Sequence, residues 1–433
     1  MTGLWRSPVA LAGVVLLAGV GARLAVLPTL GAPPLLQGDE VYYVDAAQSL
    51  VRGDGYPGSA RPPAWPFLLS LVWRALGGEP NLPLGRLVQS GLLLLAALLV
   101  FDWARRAYGP RAGVVSGVLC AVHPTLVHYG LFFWSEPLYI ALLVLAFWSL
   151  HRHHTGHAGW LGLAGVAFGL AALTREVVLY FVPLVVLWLW TRPASRHRGR
   201  WQPGGLLLGG VLVTVLPWTA RNYSLQGRVV LVSTIRWLPV AQGNLLPEKS
   251  LFLGPVSDAT LVERYLAIAD EREREQYARS VALQAVAREQ PAWILRKMVR
   301  NSYQLFRPRG QLEKFLRAGW LAPGARDPAS RLVAVEASFY VVSMVLAIIA
   351  LWRVRADPLK CLVVAYFLFT WGLHVLANAN HRFRVPLLPF LALYTGPLIT
   401  RELGPSGRHR ALGMALSLLT FAAVVGLDLL REQ

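Results

Sequence analysis

The chain has 433 residues, of which 55% are hydrophobic and only 15% are charged, and its formal net charge is +19. Soluble domains carry roughly 25% charged residues, so this composition excludes an ordinary soluble enzyme. The hydrophobic residues also gather in blocks, several of which reach the roughly 20 residues that span a bilayer. We therefore predict an all-α membrane protein that crosses the bilayer many times.

The basic residues lie mainly in short stretches between the hydrophobic blocks. The positive-inside rule gives this distribution to cytoplasmic loops, so the net charge reflects topology and we expect no nucleic-acid partner. Cys120 and Cys361 both fall inside hydrophobic blocks. They predict neither a disulfide framework nor a metal site.

About eleven segments are predicted to cross the membrane as helices. The first follows Arg6 and is interpreted as a retained helix, because it is long for a signal peptide and no clear cleavage site follows it. Residues 112–150 and 159–191 each hold two segments without an obvious loop between them. The predicted spans are 8–28, 84–104, 112–130, 131–150, 159–174, 176–191, 204–221, 332–352, 358–377, 385–400 and 411–428.

The loops between these spans predict their orientation. If the N-terminus is cytoplasmic, every short basic loop falls on the cytoplasmic side, which supports both the number and the direction of the spans. The basic residues of these loops are Arg105, Arg106 and Arg111, then Arg152, then Arg192, Arg196, Arg198 and Arg200, then Arg353, Arg355 and Lys360, then Arg401, Arg408 and Arg410.

The first long segment on the outer side comprises residues 29–82. Within it, residues 40–52 place Tyr43, Ala47 and Leu50 on one helical face, and Gly53 and Gly55 end the run. Residues 64–76 are hydrophobic but too short to cross the bilayer. Both stretches are predicted to be helices that lie in the membrane interface.

The second long outer segment comprises residues 222–331, between the seventh and eighth spans. Its stretch 259–300 predicts one or two amphipathic helices that are interrupted at Pro291. The chain is thus predicted to have three parts. They are a transmembrane module (1–221) that includes the first outer loop, an extracytoplasmic region (222–331) and a set of C-terminal transmembrane helices (332–433).

Three acidic residues at predicted outer helix ends are candidates for chemistry. Asp39 and Glu40 precede the first interfacial helix, where Asp39 suits an N-cap as well as a general base. Glu136 opens the fourth span, where a carboxylate also favours the helix dipole. Acidic residues beside the membrane usually serve a function, so a shared external cleft is the hypothesis we carry forward.

Four arginines on the same side are candidates for binding a phosphate, which guanidinium groups match bidentately. Arg61 precedes Pro62-Pro63, and it also suits a role in snorkelling to lipid headgroups. Arg221 is the last residue of the seventh span. Arg382 and Arg384 lie in a very short outer loop, which opposes the positive-inside bias and favours a bound anion.

Taken in order, these motifs resemble the GT-C superfamily of membrane glycosyltransferases. The resemblance is to the protein O-mannosyltransferases and the lipid A aminoarabinose transferases, and it extends over nearly the whole chain. The matching residues are Gly38-Asp39-Glu40 with Tyr43, Ala47, Leu50 and Gly53, then Arg61-Pro62-Pro63, Ser135-Glu136-Pro137, Thr174-Arg175, Pro217-Trp218 with Arg221-Asn222-Tyr223, and Arg382-Phe383-Arg384-Val385-Pro386.

The resemblance implies an enzyme that moves a sugar from a polyprenyl-phosphate carrier to an acceptor hydroxyl outside the cytoplasm. The acceptor is expected to be a lipid, a glycan or a protein, and the location a bacterial inner or plasma membrane. Asp39 matches the family's catalytic base, Glu40 is its neighbour in the acidic pair, and Glu136 matches an acidic residue near the acceptor. Arg61 stands where the aminoarabinose enzymes usually have lysine at the donor phosphate, while Arg382 and Arg384 match basic residues at an outer helix end.

Metal dependence and two other functions stay open at this stage. No set of metal ligands is evident in the sequence, but some relatives with this fold use a divalent ion. A lipid-linked oligosaccharide ligase or polymerase also has arginine-rich outer loops. A transporter or flippase would show charged residues deep within its helices, whereas the candidate residues here lie at helix ends.

Overall fold

The computed structural model describes residues 7–30, 39–154, 156–191, 202–244, 259–288, 290–317, 326–405 and 407–430. The predicted basic loop around Arg192–Arg200 and parts of both long outer segments lie outside these ranges. The helices are α1 (Pro8–Leu30), α2 (Asp39–Arg52), α3 (Ala64–Ala75), α4 (Leu82–Tyr108), α5 (Pro110–Ala121), α6 (Pro124–Tyr129), α7 (Glu136–His154), α8 (Gly159–Ala172), α9 (Val182–Trp190), α10 (Gln202–Gln226), α11 (Trp237–Asn244), α12 (Ala259–Ala267), α13 (Glu271–Arg288), α14 (Ala292–Phe306), α15 (Gln311–Arg317), α16 (Arg326–Arg353), α17 (Lys360–Leu376), α18 (Leu388–Ile399) and α19 (Arg408–Leu430).

The prediction of an all-α protein is confirmed. In the described part of the chain the only β-pairing is a single bridge between Val354 and Leu403. Each predicted span corresponds to a helix or to two consecutive helical pieces. Five of the described helices are long and hydrophobic enough to cross a membrane, namely most of α1, α4, α10, α16 and α19. The predicted number of eleven spans stays a prediction.

Three of the predicted spans are not continuous α-helices. The segment 112–130 breaks into α5 and α6 because Pro124 begins a new helix, and the His123 ring caps it by accepting from the backbone N–H of Thr125 (3.3 Å). The segment 176–191 begins as a 3₁₀-helix (Glu176–Tyr180) before α9. The segment 385–400 likewise begins in a 3₁₀-helix (His381–Leu387) before α18.

The bundle is built from pairs of helices in close contact, among them α4 with α5, α7 with α8, and α5 with α18. Glycines bring α8 and α10 closest together. A Cβ atom on Gly165 would lie 2.1 Å from the carbonyl oxygen of Leu207, and one on Gly210 would lie 2.5 Å from that of Gly162. Small residues at such crossings let helix backbones approach each other, as is common in membranes.

The two helices of the first outer loop are present as predicted. Tyr43, Ala47 and Leu50 of α2 are buried, and the helix packs with α3 through a cluster that includes Trp65 and Trp73. This hydrophobic cluster fixes the start of α2, and with it Asp39, against the bundle.

The prediction of one or two helices over 259–300 was wrong, because this stretch contains α12, α13 and the start of α14. The additional break occurs at Asp270, whose carboxylate accepts from the backbone N–H groups of Arg272 and Glu273 (both 2.9 Å) and so caps α13. The predicted interruption at Pro291 is confirmed, since this residue immediately precedes α14.

Several of the predicted cytoplasmic loops meet at one end of the bundle. The Arg355 guanidinium donates to the carbonyl of Ala107 (2.6 Å), and the Tyr108 hydroxyl donates to the carbonyl of Arg355 (3.2 Å). Arg355 also lies 3.7 Å from the carboxylate of Glu402. These contacts join three loops that are far apart in sequence, as the predicted topology requires.

Cysteine labelling tests this two-ended arrangement. In a chain without Cys120 and Cys361, we expect Asp54→Cys to react with an impermeant maleimide added outside intact cells, because Asp54 is exposed in the first outer loop. We expect His409→Cys, exposed at the start of α19, to react only after the membrane is opened. Labelling of both positions from the same side would contradict the topology.

Candidate active site

Arg382 joins two carboxylates that are far apart in sequence. One of its terminal nitrogens donates to Asp39 Oδ2 (2.9 Å) and the other to Glu136 Oε2 (2.9 Å), while its Nε donates to Glu136 Oε1. The guanidinium carbon lies 4.9 Å from the centre of the Trp134 ring. The starts of α2 and α7 and the residues before α18 therefore converge on one guanidinium.

Each carboxylate has a second arginine. Arg61 donates to Asp39 Oδ1, and Arg175 donates to Glu136 Oε1 (2.6 Å). Arg175 follows α8, so the antiparallel packing of α7 and α8 brings it to the start of α7. Arg175 belongs to one of the matching motifs but is not among the predicted site residues, although its position at a predicted outer helix end was a usable signal.

Local structure explains how these side chains are aimed. Asp39 is the first residue of α2, but both of its carboxylate oxygens accept from arginine side chains. Arg382 lies in a 3₁₀-helix (His381–Leu387), and the side chain of Asn380 caps its start by accepting from the Arg382 backbone N–H (3.0 Å). The pairing with arginine favours a functional role for Asp39 over the simple helix cap that we considered.

The two carboxylates differ in how far solvent or substrate can reach them. The Asp39 side chain is 30% exposed, whereas that of Glu136 is 0% exposed. Burial raises the pKa of Asp39, but the charges and hydrogen bonds of Arg382 and Arg61 outweigh it and hold the pKa below its usual range. Asp39 is therefore an ionised and accessible carboxylate, and Glu136 is a buried counter-charge that orients Arg382 and Arg175.

Three residues predicted for the site make contacts elsewhere. The buried Glu40 accepts from the backbone N–H of Phe133 (2.7 Å), and so it fixes the turn before α7. Arg221 donates to the carbonyls of Gly58 (2.9 Å) and Tyr56 (2.6 Å) in the first outer loop.

Arg384 is the third of these residues, and it points away from Arg382. Its guanidinium donates to the carbonyls of Arg307 and Pro308, and it stacks on Tyr340 with its central carbon 3.7 Å from the ring centre. It thus closes the C-terminal end of α14. The structure therefore brings together Asp39, Arg61, Glu136 and Arg382 from the predicted set.

The possible divalent metal ion stays a prediction. Among the described residues, no group of three or more His, Cys, Asp or Glu side chains is arranged to hold one. Asp39 and Glu136 are each already paired with two guanidinium groups, which occupy the oxygens that a cation would need.

The chain is similar to several known proteins. Residues 60–219 match the family model described as dolichyl-phosphate-mannose-protein mannosyltransferase. A solved oligosaccharyltransferase of Archaeoglobus fulgidus, in complex with Zn and sulfate, matches with a TM-score of 0.51 and 14% identity over 94% of this chain and 51% of that one. ArnT from Cupriavidus metallidurans bound to undecaprenyl phosphate matches with a TM-score of 0.42 and 17% identity over 94% of this chain and 77% of that one. No curated protein matches the sequence.

The likeness to the archaeal oligosaccharyltransferase concerns the fold, since the chain spans about half the length of that protein and shares 14% of its residues. The family match covers the first outer loop from residue 60 through most of α10, and it includes Arg61, Glu136 and Arg175. The predicted resemblance is confirmed for the fold and for one part of the sequence: the chain shares the fold of the archaeal oligosaccharyltransferase, and its residues 60–219 match the dolichyl-phosphate-mannose-protein mannosyltransferase family model.

Proposed function

We propose that this protein moves a sugar from a polyprenyl-phosphate carrier to the hydroxyl of an acceptor at the extracytoplasmic face of the membrane. The observation that carries the proposal is the pairing of Arg382 with the accessible Asp39 and the buried Glu136. The description of the matching family names a mannose donor linked to dolichyl phosphate, which supports a donor of this class.

The proposed reaction uses the exposed carboxylate of Asp39. The acceptor oxygen attacks the anomeric carbon while the bond from that carbon to the phosphate oxygen breaks, so the sugar inverts its configuration. Asp39 takes the proton of the acceptor hydroxyl as a general base. The phosphate leaves with its negative charge, which neighbouring cations stabilise more in the transition state than in the ground state.

The two arginines on Asp39 make it a weak base in the absence of substrate, because they favour its ionised form. A donor phosphate competes for the same guanidinium groups, since Arg61 and Arg382 are suited to bind phosphate oxygens. When Arg61 turns to the phosphate, Asp39 loses a counter-charge and becomes more basic. Binding of the donor phosphate thus makes Asp39 a stronger base.

The location and the acceptor belong to the same proposal. The five long hydrophobic helices support an integral membrane protein. We place it in a bacterial inner or plasma membrane with Asp39 facing the outside, where a lipid, a glycan or a protein hydroxyl is the acceptor.

Transfer by the purified protein tests the function. A panel of radiolabelled polyprenyl-phosphate sugars is incubated with the protein in lipid nanodiscs together with membrane extracts as acceptor source. We expect consumption of one sugar donor, release of polyprenyl phosphate and a product of inverted anomeric configuration. If no phosphate-linked sugar is consumed under conditions where the protein is folded, the proposal fails.

The pH dependence of transfer tests the role of Arg61. Transfer needs ionised Asp39, so activity falls as the pH drops through the pKa of this group, which the arginines hold low. In Arg61→Gln one of these charges is absent, so the pKa of Asp39 rises and the acidic limb of the pH–rate profile moves to higher pH. The profile of kcat/KM for the donor, which reports the donor-free enzyme, is measured with the exposed Arg52→Gln as control. An unchanged acidic limb would contradict this assignment.

A further inference from the structure

The four arginines predicted to bind the donor phosphate are already engaged by the protein itself. Arg61 and Arg382 are paired with carboxylates. Arg221 and Arg384 donate to backbone carbonyls. A phosphate that depended on these groups alone would have to displace several short hydrogen bonds. Cations near Arg382 that lack such partners are better suited to bind it.

The short helix α15 lies directly against the site. The Phe315 ring lies 5.5 Å from the ring of Trp134, which itself stacks under Arg382. On the same helix, Gln311 accepts from His381 Nε2 (2.9 Å), and His381 is the neighbour of Arg382. Lys314 lies between these two contacts in sequence.

Lys314 is a partly buried cation that the protein leaves uncompensated. Among the described residues, no hydrogen bond or ion pair to its ammonium group is found. Burial lowers its pKa, and the charges of Arg382 and Arg307 lower it further. An ammonium group placed beside two guanidinium groups is electrostatically unfavourable unless an anion binds there.

Arg307 is the second such cation. It follows α14, its Nε is buried without a hydrogen-bond partner, and one of its terminal nitrogens lies 3.4 Å from His381 Nδ1. Glu313 and Asp428 are near enough to act on its charge, but no ion pair joins either of them to Arg307 in the described part of the chain.

His381 lies among several positively charged side chains, which affect the pKa of its ring. Burial lowers its pKa well below the usual value, and Arg307, Arg384, Lys314 and Arg382 all act in the same direction. The ring is therefore neutral, with Nε2–H donating to Gln311 and Nδ1 accepting from Arg307. The region around His381 thus has a surplus of cations that includes two poorly compensated side chains.

We propose that Lys314 and Arg307 bind the phosphate of the lipid-linked donor, next to Arg382. This inference rests on the proposed function and deepens it, because it locates the leaving group on the α15 side of Asp39. When the sugar–phosphate bond breaks, the ammonium group of Lys314 and the guanidinium of Arg307 stabilise the negative charge that develops on the phosphate oxygens. Arg382 then connects the leaving group with the carboxylate that accepts the proton.

Binding of a sugar-free polyprenyl monophosphate tests the inference apart from transfer. The full-length protein is reconstituted in zwitterionic nanodiscs, and binding is followed by ³¹P NMR and by the shift of the thermal-unfolding midpoint. We expect Lys314→Gln and Arg307→Gln each to weaken binding by about tenfold or more, as the loss of one charged hydrogen bond does. The matched control is Arg317→Gln, on the same helix and ion-paired with Glu313 (2.8 Å), which should bind as the parent does. Arg307→Lys, which keeps the charge, should restore part of the affinity.

The outcomes separate the inference from the function on which it rests. Parental affinity in both Lys314→Gln and Arg307→Gln, with transfer intact in the parent, overturns the phosphate site and leaves the function standing. Loss of binding in these variants supports the site even if no sugar is transferred, in which case the function alone fails. Equal binding of polyprenol without phosphate, or displacement of the probe by phosphatidylglycerol, overturns the assignment to the donor, since the site would then recognise a chain or any anionic headgroup.

Discussion

Replacing Asp39 with asparagine is expected to lower the rate of sugar transfer by roughly 10²–10⁴-fold, the usual effect of losing a general base. Asparagine keeps the shape of the side chain and its place at the start of α2, but it does not accept the proton of the acceptor hydroxyl. Donor affinity should stay the same or increase, because Arg61 and Arg382 lose a competing negative charge. The effect therefore falls on kcat rather than on donor binding, and single-turnover kinetics with donor titration measure both.

The control for this variant is Asp45→Asn. Asp45 lies on the same helix and is exposed to solvent. Its replacement removes the same charge from α2 without touching the arginines, so transfer should proceed at the parental rate. Parental activity in Asp39→Asn would show that another group accepts the proton.

The second large effect is expected for Arg382→Gln, which should abolish transfer and also destabilise the protein. The variant leaves Asp39 and the fully buried Glu136 each with one guanidinium instead of two. Removing one partner of a buried ion pair costs about 3–5 kcal/mol, and because Arg175 remains we expect the lower end of this range. Denaturant unfolding in detergent measures the change, and Arg52→Gln, whose ion pair with Asp54 is exposed, should change stability by less than about 1 kcal/mol.

A double variant separates the structural from the catalytic contribution of Arg382. In Arg382→Gln with Glu136→Gln the buried negative charge is absent, so part of the lost stability should return. Transfer should stay abolished, because Asp39 and the donor still lack Arg382. If Arg382→Gln alone is as stable as the parent, Glu136 is not the buried counter-charge that the structure indicates.

The topology and much of the site could be predicted from the sequence. The hydrophobic pattern indicates where the helices span the membrane, and the distribution of charge indicates which of their ends face outward. Residues 39, 61, 136 and 382 were each assigned to outer helix ends, and such ends must meet if the spans alternate in direction. In the structure Arg61 and Arg382 both donate to Asp39, and Arg382 also donates to Glu136. The four residues therefore form one hydrogen-bonded group.

The direction in which individual side chains point could not be predicted from the sequence in the same way. Glu40 follows Asp39 in an α-helix, where neighbouring side chains point about 100° apart, so it turns into the protein toward Phe133. Arg384 follows Arg382 by two residues in a 3₁₀-helix, where roughly three residues complete a turn, so the two side chains cannot share a face. Motif spacing alone predicted that both members of each pair, Asp39 with Glu40 and Arg382 with Arg384, lie in the site.

Lys314 was not among the predicted site residues for a different reason. The segment that contains α15 has no distinctive motif, and a lysine in a basic outer region of the chain is unremarkable by itself. Its interest arises only from the packing of Phe315 on Trp134, which brings α15 next to Arg382. Such a contact between distant segments has no local signature.

The pairing of Arg382 with Asp39 spans 343 residues, whereas that of Arg175 with Glu136 spans 39. As the polypeptide emerges from the ribosome, Glu136 meets Arg175 within one helical hairpin, so its charge is compensated early in membrane insertion. Arg382 arrives only when the last helices are synthesised. A nascent or truncated chain that ends before residue 382 therefore presents Asp39 without this guanidinium, so we expect the proposed sugar transfer only after the last helices have been made.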